Sequence, residues 1–171
     1  SAAPGIEELM DAVLAKAIAV LGVEAGSLCT VEEDAGALLF KSTQGPKAEQ
    51  VKRFRLAAGE GIVGRVAQTG EPILTNDAAK HPAYAPRIAK QVGLATRAVL
   101  CVPLLGEEGV LGALEFLNPK RGRAFNDGDL RVATLIAGQL ARAIAVARER
   151  VEGERRARLA AIGQMISGML H

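Results

Sequence analysis

The chain is 171 residues long and about half apolar (49%), with 21 basic against 19 acidic side chains and a net charge of +2. Such a length suits one domain of about 100 to 150 residues plus an extension. The near-balance of charge, with 3% aromatics and no Trp, argues against a nucleic-acid partner or an anionic membrane surface.

Cys29 and Cys101 both lie inside apolar, strand-like runs, where a free thiol packs as a small hydrophobe, which favours a reducing cytoplasm. No segment reads as the roughly 20 consecutive apolar residues needed to cross a bilayer, and no signal-peptide pattern opens the chain.

In chain order, Ile6, Leu9, Met10, Val13, Leu14, Ala17, Ile18 and Leu21 follow helical spacing. They predict an amphipathic helix over 5–21, closed by Gly22 as a left-handed cap. Residues 27–31 and 37–41 are short strand-like runs around the acidic turn 32–36 and predict a hairpin. Over 51–56 the apolar residues Val51, Phe54 and Leu56 are interspersed with Lys52, Arg53 and Arg55, the pattern of an antiparallel strand with one wet face.

Gly59-Glu60-Gly61-Ile62-Val63-Gly64 then forms a GxGxxG pattern, with Asp77 eighteen residues after Gly59. Such glycines can bring a helix N-terminus onto a pyrophosphate. Here the preceding strand alternates where a buried parallel strand should be apolar throughout, the helix over 61–69 has only about two turns, and a hairpin already stands upstream. The pattern reads better as a tight turn that lets Ile62, Val63 and Val66 lie close on a sheet.

A brief strand at 73–75 leads into a loop-rich stretch, 76–93, containing Asn76, Asp77, His81, Tyr84 and a short helix at 87–92. A connection of this length in a compact domain is commonly functional, and it is the candidate ligand lid. Two dense apolar strands, 97–105 and 110–117, joined by the turn 106–109, read as the centre of the sheet. After a basic loop, Asn126 or Asp127 can cap a helix whose first turn carries Asp127 and Asp129 near its positive end.

That helix runs far. Leu130, Ala133, Ala137, Leu140, Ile144, Ala147 and Val151 alternate steps of three and four as a heptad seam. The seam resumes at Leu159 after two steps of four through Arg155, a stutter that unwinds a coiled coil locally, with Gly153 inside it and Glu152–Arg156 and Glu154–Arg158 as expected ion pairs. Leu159, Ile162, Ile166 and Met169 continue one apolar face, which sets His171 roughly 200° from the seam, toward water.

Taken together, GEGIVG (59–64), the CVPL run (101–104), GALE (112–115) and the elements around them resemble a GAF domain over about residues 5–147. The resemblance implies an α+β fold: a central antiparallel sheet of about six strands, helices on both sides, and a small-molecule pocket. Its lining is expected among Asn76, Asp77, Tyr84, Ile88, Arg97 and Cys101. Bilin-binding members need a linking cysteine in the lid region, and 76–93 has none. Haem would need an axial ligand, for which His81 is the histidine at hand. Asn118, Lys120, Phe125 and Asp129 echo the motif of cyclic-nucleotide-binding members, with Pro119 and Leu130 departing from it. No catalytic triad, metal-spaced cluster or Walker loop is present in the sequence.

Leu159-Ala160-Ala161-Ile162-Gly163-Gln164-Met165 and Met169-Leu170-His171 resemble the front half of the H-box of sensor histidine kinases, which would make His171 the phospho-acceptor. Together these resemblances imply a bacterial, cytoplasmic sensor module: a GAF domain over 1–147, a signalling-helix linker over 148–158, and the start of the phosphotransfer helix over 159–171. The module would be a homodimer through a terminal coiled coil. ATP and Mg would be supplied with a separate catalytic domain, a response regulator would receive the phosphoryl group, and no cofactor, nucleic acid or membrane partner is expected for this stretch. The alternatives are a GAF domain that only dimerises, and a GAF regulator of another output.

Overall fold

In the computed structural model, which describes residues 4–170, helix α1 (Pro4–Leu21) ends where the sequence places its cap: Gly22 has φ +64° and donates its N–H to the Ile18 carbonyl. Strands β1 (Val23–Val31) and β2 (Leu38–Gln44) form the expected hairpin. They are followed by a one-turn helix α2 (Ala48–Val51), strand β3 (Arg55–Leu56), helix α3 (Gly61–Thr69) and strand β4 (Ile73–Thr75). After the lid segment with helix α4 (Arg87–Val92) come β5 (Val99–Gly106), β6 (Gly109–Pro119) and the 44-residue α5 (Asp127–Leu170).

The six strands form one sheet in the order β3-β2-β1-β6-β5-β4, every neighbouring pair antiparallel. The central pair is therefore β1 and β6, and β5 stands one place off centre. Because side chains alternate across a strand, each central strand feeds two cores. Leu28, Leu100, Val102, Leu104, Leu114 and Phe116 pack under α1 and α5. Cys29, Val99, Cys101 and Ala113 face the opposite side, with Leu38, Phe40, Leu56 and the α3 residues Ile62, Val63 and Val66.

Two expectations are corrected. Residues 51–56 are not one strand: after Lys47, at φ 65°, the chain makes the α2 turn, with Val51 N–H donating to Lys47 O, and only Arg55 and Leu56 pair with β2. Val51, Phe54 and Leu56 still reach one core, so their spacing reported a shared face and not a shared strand. Likewise, Ala133, Ala137, Leu140 and Ile144 do not form a free seam. They are buried against the domain's own sheet and α1, as the apolar stripe of a surface helix normally is.

Beyond Ile144 the helix leaves the domain, and Val151, Leu159, Ile162, Met165, Ile166 and Met169 are exposed, Met169 by 83%. Helix α5 also contains an 18-residue stretch long and apolar enough to cross a membrane, against the sequence expectation. Of that helix, Ala133, Ala137, Leu140, Ala141 and Ile144 are buried against the domain, and 28% of the apolar stretch is buried in all. The stutter region is continuous helix, and Arg155 pairs with Glu152 three residues back, a different partner from those the sequence suggested.

Candidate functional site

Between the sheet and the layer formed by α2, the α3 turn and the lid lies a cavity of about 110 Å³. Its floor is strand surface: Ser27 of β1, Phe40 and Thr43 of β2, Val99 of β5, Glu115 and Leu117 of β6. Its walls are Val51, Leu56, Ile62 and Val63, and its roof is Tyr84, Ala85, Ile88 and Ala89 of the lid. The lining is thus largely apolar with a few convergent polar groups, the usual make-up of a small-molecule site.

The GEGIVG turn shapes one wall. A Cβ on Gly64 would stand 2.5 Å from the Gly59 carbonyl carbon, so the first turn of α3 can fold onto the preceding loop only without a side chain there. The N-terminal turn of α3 buries Ile62 and Val63 and, with Glu60 and Gly61, lines the cavity. Glu60 accepts the Ala57 N–H and receives the Arg87 guanidinium, Nε to Oε2 at 2.7 Å. Arg87 also donates to the Arg55 carbonyl and lies 5.8 Å over the Phe54 ring. This arrangement ties the lid helix to the cavity rim. The hydrogen bonds from Arg87 hold the Glu60 carboxyl below its ordinary range.

The one charge on the floor is Glu115. It sits mid-strand with Ser27 of β1 and Cys101 of β5 as its direct cross-strand partners. Glu115 lines the cavity and is half-buried by area, and the strand and cavity-wall packing around it desolvates the carboxyl. Burial pushes its pKa up to about 7, with a hydrogen bond from Ser27 acting in the opposite direction. Burial, with the Glu115 charge adding to it, also raises Cys29 and Cys101 well above the ordinary thiol value, which leaves both as packed thiols and not nucleophiles.

Of the six residues expected to line the site, Tyr84 and Ile88 do so. Cys101 lies on the same sheet face as the cavity, buried beside Glu115, but does not reach its wall. Asp77 is exposed and pairs with Lys80. Asn76 and Arg97 take another part: Asn76 exchanges two hydrogen bonds with the Phe125 backbone, and the Arg97 guanidinium donates to the carbonyls of Pro119 and Arg123. The first residue of the lid segment and the stretch just after it are thereby fastened to the connection that enters α5. His171 lies outside the described residues.

His81 accepts the Ala83 N–H on Nδ1 and lies off the cavity wall. The residues that echo a cyclic-nucleotide motif are likewise elsewhere. Asn118, at φ 57°, binds the backbone of residues 95–98, Phe125 is buried under α1 and α5, and Asp129 pairs with Arg123. Sequence reasoning missed Glu115, Ser27 and Arg87. The readable signal was a carboxylate inside the otherwise apolar run GVLGALEFL.

A six-stranded antiparallel sheet carrying its first and last helices on one face and a lidded apolar cavity on the other is the architecture of a GAF domain. The GAF-domain family model matches residues 3–145, and the chain belongs to that family.

Among solved structures, the GAF domain of a phosphoenolpyruvate-protein phosphotransferase from Coxiella burnetii is similar at 29% identity and a TM-score of 0.77, covering 86% of each chain. The dual 3',5'-cyclic-AMP and -GMP phosphodiesterase 11 of Drosophila melanogaster is 35% identical over 85 residues, 49% of this chain. Nitrogen fixation protein AnfA of Azotobacter vinelandii is 29% identical over 126 residues, 71% of this chain. The matched stretches span 6% and 23% of those two proteins.

Proposed function

We propose that this chain is the cytoplasmic sensory and dimerisation module of a histidine kinase, in which occupancy of the cavity biases the packing of α5 and so the presentation of His171. The observation that carries the reading is the continuity of α5: one helix packs on the strands that floor the cavity and runs on into the H-box-like segment 159–171. The bonds of Asn76 and Arg97 to the 119–125 connection give lid movement a covalently short path to the start of that helix.

Dimerisation is supported by a largely apolar groove between α1 and α5, lined by Ala12, Val13, Lys16, Ala17, Val20 and Ile136. Leu135 stands 71% exposed on the same helix as the apolar face from Val151 to Met169. A second copy would cover both, since a helix with an unpartnered apolar stripe is stable only when that stripe is buried. Once phosphorylated from ATP and Mg in the kinase's catalytic domain, His171 would pass the phosphoryl group to a response-regulator aspartate.

The test is transfer from γ-labelled ATP in the parent protein: His171→Gln should abolish acid-labile label, and retained labelling would overturn the reading. The relatives, a phosphodiesterase, a nitrogen fixation protein and a phosphotransferase, favour as the second reading a GAF module serving another output.

A further inference from the structure

The cavity has an uneven charge inventory. Its charged lining residues are Glu60 and Glu115, with no Lys or Arg among them. Glu60 at the rim is already satisfied by Arg87. Glu115 on the floor faces the cavity with the Ser27 hydroxyl beside it, and no cationic side chain is paired with it among the described residues. A carboxylate in an apolar cavity is costly unless an opposite charge or donors reach it. The side chains that surround this one leave the compensating position to whatever occupies the cavity.

We propose that the cavity takes a small organic cation, an amine or amidine on an apolar body, with Glu115 as its counter-charge and the Ser27 hydroxyl oxygen as a second acceptor. The inference rests on the reading of the cavity as a ligand site and specifies its chemistry. The apolar body would lie against Phe40, Leu56, Ile62, Val63 and Ile88, and Tyr84 of the lid would close over it. The volume, about 110 Å³, suits a body near the size of benzene, which occupies engineered cavities of about 150 Å³. Inorganic anions and phosphorylated ligands find no cation to meet them there.

The titratable groups on the surrounding elements are Cys29 of β1 and Cys101 of β5, both silent near neutrality because burial raises them, the Tyr84 phenol of the lid, and Glu60, held ionised by Arg87. Glu115, which holds its proton to about pH 7, must release it to pair with an ammonium. Affinity for an amine should therefore rise from pH 6 to pH 8 and then level.

The experiment is calorimetric titration with benzylamine and isopentylamine, their alcohol counterparts, and benzoate, on the wild type and Glu115→Gln. The amines should bind about tenfold more tightly than the alcohols, the increment expected of one charge-assisted hydrogen bond. Glu115→Gln should erase that margin, and wild-type amine affinity should climb with pH, a readout that needs no variant. Alcohols or benzoate binding as tightly as the amines, an amine preference kept by Glu115→Gln, or a flat pH profile would overturn the cation inference while leaving the cavity a ligand site. If no probe of any charge binds, the ligand-site reading falls with it.

Discussion

Ser27 and Glu115 are direct cross-strand partners in the central β1–β6 pairing, and both face the cavity. In the native protein Glu115 holds its proton to about pH 7, against an ordinary value of 4.5. Between these values the native state binds more protons than the unfolded chain, so stability falls as pH rises through that window and levels above it. The loss is up to about 3 kcal/mol. Urea midpoints at pH 5 and pH 8 should show this fall for the wild type and a smaller one for Glu115→Gln; equal pH dependence in the two proteins would contradict the assignment.

Arg87 joins the lid to the rim through Glu60, the Arg55 carbonyl and the Phe54 ring. Lysine cannot reproduce that fork or the stacking. Arg87→Lys is expected to speed amide hydrogen exchange several-fold across α4 while leaving β1 and β6 unchanged. Uniform exchange rates across both proteins would show that the contact does not hold the lid.

Asn118 satisfies three backbone groups, the N–H of Arg97 and of Ala98 and the carbonyl of Ala95, from a backbone with φ 57°. Alanine loses the bonds and fits the left-handed conformation poorly. Asn118→Ala should cost about 2 to 4 kcal/mol in chemical denaturation, from unsatisfied buried groups and backbone strain. Asn118→Asp, which keeps an acceptor for both N–H groups, should cost less.

Two glycines should respond in opposite directions. A Cβ on Gly112 would lie 1.9 Å from the Cys29 carbonyl oxygen across the central pairing, and Gly112→Ala is expected to cost about 3 kcal/mol or more by forcing β1 and β6 apart. Gly153, in the exposed part of α5, has nothing within 4 Å of its would-be Cβ. Gly153→Ala should raise helix stability by about 1 kcal/mol, measurable as an increase in the melting temperature of the α5 helical signal.

The fold was legible because its signals were local and repeated. Gly22 closes α1, the turns at 32–36 and 106–109 separate paired strands, and acidic residues open α5. What misled were patterns that two structures share. The spacing of Val51, Phe54 and Leu56 serves a one-turn helix and a two-residue strand as well as a longer strand. A stripe of three and four steps serves packing on a sheet as readily as packing on a second helix, and Ala133 to Ile144 use the former.

The lid was visible as a long connection, but its anchors were not. Asn76 reaches Phe125 across 49 residues of sequence, and no local pattern encodes such a partner. Glu115 stood out only as a charge within an apolar strand, and its meaning depended on Ser27 being brought opposite by the β1–β6 register.

The uninterrupted path of α5 from Ile144 to Leu170 also makes it a lever. At 1.5 Å per residue its free arm is about 39 Å long, so each degree of tilt at the sheet carries the far end about 0.7 Å sideways. A tilt of about 5° at Ile144 would therefore be read at Leu170 as a displacement of about 3 Å, comparable to the width of an atom.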